Sequence, residues 1–329
     1  MRERRVLLVC GSLNQTTMMH KIGRHLAPRY ACGYSPFYCD GALLALKKMG
    51  LLEHTILGGR FREMTVRYLR DNRLAVDEGG TAHGYDLVVT CSDLILQKNI
   101  RGKKIVLVQE GMTDPENLAY HVVRRLPLPR WLASTSTTGL SLGYSRFCVA
   151  SEGYRDLFAR RGIPRELMTV TGIPNFDNCV EYLDNDFPYR DYVLVATSDA
   201  RETFKFDNRR RFIERAKAIA AGRPLIFKLH PNENWERASR EIRALAPDAL
   251  VFGEGSAESM VANSQAVVTQ YSTLVFVGLA LGKECHSYFD VGTIRHLTPW
   301  QNGGTSARRI ADVCQELIEA DQLPERMTA

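Results

Sequence analysis

The sequence has no long hydrophobic run: its longest apolar stretches, such as 105–108 and 192–196, are strand-sized, against the roughly 20 residues needed to cross a bilayer. A membrane-spanning helix is excluded. At the start, Met1-Arg2-Glu3-Arg4-Arg5 is followed by only a short apolar stretch, Val6 to Gly11, before polar Ser12. That core is too short for a secretory signal, so the expected location is the cytoplasm. Eight cysteines are present, yet none forms a Cys-x-x-Cys pair and several lie inside apolar runs. They read as small buried hydrophobes in a reducing compartment, not as a disulfide framework or zinc site.

Further absences narrow the chemistry. The chain lacks a G-x-x-x-x-G-K-S/T loop, a G-x-S-x-G elbow and a G-x-G-x-x-G turn, which disfavours P-loop NTPases, α/β-hydrolases and dinucleotide oxidoreductases. Zinc-finger spacing, RNP-like aromatics and a basic helix with dimerisation heptads are also missing, so nucleic acid is not an expected partner. The histidines form no metal-like pair, and no metal is expected.

What remains is ordinary globular material. The chain has 329 residues, 45% hydrophobic and 24% charged, enough for two domains of usual size. Its net charge of +6 suits an anionic substrate or membrane surface. Short β-rich runs alternate with longer helical stretches, the pattern of parallel sheets with crossover helices. Strands are expected at 5–10, 85–90, 104–108, 146–150 and 168–171, and again at 192–197, 224–229, 249–252, 266–269 and 284–287. Helices are expected near 208–221, 235–245, 256–263, 273–281 and 306–320. A polar stretch at 184–191 makes a hinge, dividing the chain into domains 1–186 and 187–329, with the last helix able to pack back on the first.

In open α/β sheets ligands bind beyond the carboxyl ends of the strands. Polar groups collect there: Gly11-Ser12-Leu13-Asn14-Gln15, Cys91-Ser92-Asp93 and Gln109-Glu110-Gly111 in the first half. Ser198-Asp199, His230-Pro231-Asn232-Glu233 and Gln270-Tyr271-Ser272-Thr273 take the equivalent places in the second. In Lys228-Leu229-His230-Pro231 the proline stops the strand, and the histidine either donates to a phosphate oxygen or is satisfied by a neighbouring carbonyl. Ser272 or Thr273 caps the next helix, a position that also suits phosphate. Between them the sequence offers Asn117 to Leu132, where arginines interleave with apolar residues and Trp131. Two readings stay open for that stretch: contact with a membrane surface or lipid-linked acceptor, or an ordinary helix and loop broken by Pro127 and Pro129.

The run Lys228-Leu229-His230-Pro231, followed by Tyr271-Ser272-Thr273-Leu274-Val275-Phe276 and Gly282-Lys283, resembles the C-terminal half of the GT-B superfamily. It is most similar to the CDP-glycerol glycerophosphotransferases and the bacterial sialyl- and Kdo-type transferases; UDP-GlcNAc 2-epimerases share the layout. Gly11-Ser12 and Thr171-Gly172-Ile173-Pro174-Asn175-Phe176-Asp177 extend the resemblance to the first half. It implies an α/β fold of GT-B type, two Rossmann-like domains facing each other across a cleft. It also implies a metal-independent transferase of envelope polysaccharide synthesis, which moves a group from a CMP-, CDP- or UDP-linked donor to a glycan or lipid-linked acceptor. No cofactor beyond the donor is implied.

On this reading His230, Pro231, Ser272, Thr273, Ser198 and Gly172 hold the donor and its phosphates, His230 also serving catalysis. Gly11, Ser12 and Asn14 line the acceptor side. Glu110 is the catalytic base and Asp93 its rival; either could instead be a strand-end acid capping a helix. In the transferases two acids often precede the glycine, whereas here Gln109 takes the first place. Epimerases carry a histidine-arginine-arginine-glutamate-asparagine-like motif where this chain has Ser198-Asp199-Ala200-Arg201-Glu202, and paired carboxylates where it has Phe276 and Val277. An epimerase relative and a non-catalytic GT-B binding protein are the alternative readings.

Overall fold

The computed structural model describes residues 3–53, 55–126, 128–198, 200–202 and 207–320. Pro127 and Asp199 lie outside the described residues. The chain divides into two compact units, Met1–Asp177 together with Asn302–Ala329, and Asn178–Gln301.

The first unit contains β1 (Arg5–Cys10), α1 (Leu13–Leu26), β2 (Ala31–Pro36), α2 (Gly41–Lys48), α3 (Gly59–Asp71) and β3 (Leu87–Thr90). It continues with β4 (Lys104–Val108), α4 (Leu118–Arg125), β5 (Arg146–Val149), α5 (Glu152–Arg160) and β6 (Met168–Val170). The strands pair in parallel in the order β2-β1-β3-β4-β5-β6. Val6 to Cys10 and Leu87 to Val89 are all buried, as strands covered on both faces must be. The order reverses between β1 and β3, so the crevice beyond their carboxyl ends is where a ligand is expected.

The sequence reading has no counterpart of β2. Its residues, Ala-Cys-Gly-Tyr-Ser-Pro, carry little of the β-branched signal. Gly33 is required there by packing, because a Cβ would lie 2.2 Å from the Tyr85 hydroxyl. Pro36 is tolerated because β2 is the outermost strand of the sheet.

The second unit contains β7 (Val193–Ala196), α6 (Arg209–Ala220), β8 (Leu225–Lys228), α7 (Trp235–Leu245) and β9 (Leu250–Phe252). After these come α8 (Ala257–Asn263), β10 (Ala266–Thr269), α9 (Leu274–Ala280), β11 (Glu284–His286) and α10 (Val291–Leu297). Its sheet is also parallel, in the order β11-β10-β7-β8-β9. Val193, Val195, Phe227, Ala266 and Val268 from the sheet meet Phe212, Ile213 and Ala216 of α6 and Ala238 and Ile242 of α7 in one buried cluster. Each large apolar side chain so buried contributes about 1.5–3 kcal/mol. Here the strand order reverses between β7 and β10.

The chain then returns to the first unit, where α11 (Ser306–Glu319) packs on α1, β3 and β4. Asp177 fixes the return: its carboxylate accepts from the Ser306 N–H at 2.8 Å, and its carbonyl accepts from the Asn302 and Gly303 N–H groups. Among the described residues no helix is long and apolar enough to cross a membrane.

Candidate functional site

The first unit gathers a cluster at its switch point. Gly11 ends β1, and Ser12 caps α1 by accepting from the Gln15 N–H. Ser12-x-x-Gln15 has the form of a capping box, in which the glutamine would turn back to the cap. Instead the Gln15 amide donates to Oε2 of Glu110, the residue two after β4. Oε1 of Glu110 accepts from the Ser12 hydroxyl at 3.0 Å and from Nδ2 of Asn14 at 3.3 Å. Asn14 is in turn oriented by Asn175, whose Nδ2 donates to Asn14 Oδ1 at 2.8 Å and to the Thr17 hydroxyl at 2.8 Å. Glu110 is half-buried, with both oxygens held by neutral donors.

Glycine at position 11 is a condition of this arrangement. A Cβ there would sit 1.7 Å from Oε1 of Gln15. Gln109, next to the acid, is buried and spans two groups: its Oε1 accepts from Ala150 N–H and its Nε2 donates to Gly111 carbonyl, each at 2.9 Å. A carboxylate cannot make the second bond, which gives a local reason for an amide where the transferase pattern has an acid.

Asp93 belongs elsewhere in the same unit. It is 1% exposed, and its two oxygens accept from the Gly139 and Ser141 N–H groups at 2.9 and 3.0 Å. Asp93 is thus a structural acid, but it braces the turn at 139–141 where the alternative reading expected it to cap a helix. Nearby Cys91 is buried and its thiol is held well above its ordinary pKa by burial and then by the charge of Glu110. Gly172 follows β6 in this first unit, buried, at φ +83°. It therefore lies in a different unit from the other residues expected on the donor side.

In the second unit a hollow of about 570 Å³ opens at the switch point, lined by Ser198, Asn208, Arg211, Arg215, Gln270, Tyr271 and Tyr288 among others. Ser198 after β7 donates to Oε1 of Gln270 after β10 at 2.7 Å. Gln270 passes the chain on to Asp207 at 2.8 Å. Asp207 and Glu233, both with fully buried side chains, pair with Arg209. Buried ions of this kind need each other, since removing one strands the rest. Tyr271 and Tyr288 meet edge to face at 5.6 Å, and the Arg215 guanidinium lies 5.2 Å from the Tyr288 ring centre. The hollow thus offers aromatic faces, neutral donors and two cations.

His230 is set by the same network. Its backbone N–H donates to Glu233 at 2.9 Å, and its Nδ1 accepts from the Asn232 N–H at 3.2 Å. With Nδ1 accepting, the neutral ring carries its proton on Nε2, a donor. Pro231 is exposed. Lys228 is buried, its ammonium tied to the Leu229 and Gly253 carbonyls at 3.1 and 2.8 Å, and burial lowers its pKa. It joins β8 to the loop after β9. Thr273 stands at the helical start of α9 without capping it, while the Ser272 hydroxyl accepts from the Leu274 N–H at 3.3 Å.

Gln15, Asn175, Asp207, Arg209, Glu233 and Gln270 were not among the expected site residues. Glu233 and Gln270 stood on the strand-end rim and so had a positional signal. Arg209 and Asp207 had none, because their pairing depends on where α6 lands. Phe276 and Val277, at the positions where epimerases carry carboxylates, are 1% and 0% exposed and belong to the core. Among the described residues no three His, Cys, Asp or Glu side chains gather as a metal site would need.

No protein-family profile matches the chain, and no curated protein matches it in sequence. Solved structures do resemble it. The UDP-GlcNAc 2-epimerase from Neisseria meningitidis, bound to UDP-GlcNAc, matches over 95% of this chain and 100% of its own, with 12% identity and a TM-score of 0.57. The Methanocaldococcus jannaschii UDP-GlcNAc 2-epimerase in complex with UDP-GlcNAc and UDP matches over 94% and 99%, with 12% identity and a TM-score of 0.54. The wall teichoic acid polymerase TagF matches over 97% and 90%, with 11% identity and a TM-score of 0.52. The fold is accordingly GT-B, built from two Rossmann-like units.

Proposed function

We propose that this chain is a GT-B transferase, which moves a group from a nucleotide-activated donor to a hydroxyl of a glycan or lipid-linked acceptor in envelope polysaccharide synthesis. The observation that carries the proposal is the Glu110 cluster: a half-buried carboxylate held by Ser12, Asn14 and Gln15 at the switch point of the first sheet. A base must be within hydrogen-bond reach of the proton it takes, and a carboxylate with a fixed direction meets that need. Asp93, enclosed by its own loop, is set aside as the base.

In the reaction the acceptor oxygen attacks the transferred group as Glu110 takes its proton. The bond between that group and the donor's phosphate oxygen breaks, and the nucleotide leaves with the electron pair. The hollow at Ser198, Tyr271 and Tyr288 would take the nucleotide of a CMP-, CDP- or UDP-linked donor. Nε2 of His230, the Ser272 and Thr273 hydroxyls and nearby N–H groups would meet the leaving phosphate's charge. Gly11, Ser12 and Asn14 would face the acceptor. Gly172, after β6, would meet the donor from the first unit.

The epimerase reading is less favoured because Phe276 and Val277 are core residues. Incubation with UDP-GlcNAc and with CMP- and CDP-linked donors, with and without glycan acceptors, separates the readings. Nucleotide release coupled to acceptor modification supports the transferase. Epimer without net nucleotide release would replace it with the epimerase, and nucleotide binding without turnover with a binding protein.

A further inference from the structure

Helix α2, Gly41–Lys48, has no buried residue although its sequence is Gly-Ala-Leu-Leu-Ala-Leu-Lys-Lys. A short helix of a globular protein ordinarily buries its apolar face. Here Leu44 stays exposed, and beyond the helix Met49 and Leu51 are 69% and 62% exposed. A second apolar segment shares this region: Leu128, Pro129 and Trp131 line, together with Ala42 and Leu43 of α2, one hollow of about 530 Å³. Upstream of it α4 turns Tyr120 and Val123 inward and leaves Leu118 and Val122 in solvent, and Leu126, which follows the helix, is exposed as well. Exposed apolar side chains beside a hollow lined by both segments mark an interaction face.

Its charge selects the partner. Neither 41–52 nor 117–132 contains an acidic residue, and together they carry Lys47, Lys48, Arg124, Arg125 and Arg130. Arg101 lines the same hollow, and Asp40, which also lines it, accepts from the Lys98 N–H. Leucines, a tryptophan and a methionine set among cations fit an interface between anionic headgroups and acyl chains. We infer that α2 and the α4–Trp131 segment form a docking face for an anionic phospholipid bilayer. The cations meet headgroup phosphates, while Leu44, Met49, Leu51 and Trp131 enter the acyl boundary. The inference extends the membrane contact read from 117–132 to α2, and it stands independently of the transferase proposal.

The test is co-sedimentation of the full chain with vesicles of phosphatidylglycerol and phosphatidylcholine, and of phosphatidylcholine alone, without donor or acceptor. Binding is expected only to the phosphatidylglycerol vesicles, and it should weaken with salt. The pair M49S/L51S and the pair K47E/K48E should each lower binding at least tenfold, while V180S, at an exposed residue of the second unit, leaves it unchanged. Absence of wild-type binding, or binding by the paired variants equal to that of wild type, overturns the inference. So does wild-type self-association in sedimentation velocity that M49S/L51S abolishes, because the face would then join two copies of the chain. Nucleotide titration is read separately, so failure here leaves the transferase proposal standing.

Discussion

Gln15 donates its side-chain amide to Glu110 although Ser12-x-x-Gln15 has the local form of a helix cap. A residue that could have closed its own helix end is used to hold a carboxylate from another strand. That exchange marks the β1–α1 turn as a built site, since a cap alone would not recruit Glu110.

Gly11→Ala tests the room this contact needs. The new methyl would meet the far end of the Gln15 side chain, which can swing away without disturbing the core. The melting temperature should change little, while transfer falls roughly tenfold to a hundredfold as Glu110 loses a support. Equal transfer by the variant and wild type would separate Gln15 from the chemistry.

Asp93→Asn should do the opposite. An asparagine offers one oxygen to two N–H groups and turns a donor toward the other, a loss of about 1–3 kcal/mol. Thermal unfolding should therefore move down while transfer per folded molecule is retained. A selective loss of transfer would return Asp93 to the catalytic role.

The Arg201–Glu241 pair makes a pH-dependent prediction. The hydrogen bond and then the charge of Arg201 lower the Glu241 pKa below its ordinary value. A depressed carboxylate contributes stability above its unfolded pKa, about 4.3, and loses it as pH falls through the folded value. Glu241→Gln should lower the melting temperature at pH 7 and converge with wild type at pH values below the carboxylate range. A constant difference across that window would show that packing, not charge, is what the substitution removes.

His230→Ala should impair donor turnover by about 2–4 kcal/mol of transition-state stabilisation, by analogy with loss of an oxyanion donor. Its fold should survive, because the Glu233 contact uses the His230 backbone. Full turnover in a folded variant would remove the ring from the mechanism.

These residues also show what could be read in advance. The β-rich runs placed β1, β4, β7 and β10 within a residue at either end, because strands buried on both faces are continuously apolar. β2 escaped because Gly33 and Pro36 answer to Tyr85 and to an edge, facts of tertiary structure. Glu110 stood out by its place after a strand, as did Ser198 and His230. Of its supports, Ser12 and Asn14 stood out by their place after β1, whereas Gln15 stood on the same rim without a role and Asn175 acts from 161 positions away in the chain. Lys228 heads the run that ends in His230-Pro231, but its ammonium ties two carbonyls.

The decisive measurement is the transfer rate of Glu110→Gln beside its affinity for the donor nucleotide, taken in the same preparation. Glutamine keeps the shape and can still accept from Ser12, but it cannot take the acceptor's proton. Nucleotide affinity should stay at the wild-type value while transfer falls about 10²–10⁴-fold. Transfer at the wild-type rate in the folded variant would contradict the role of Glu110 as base.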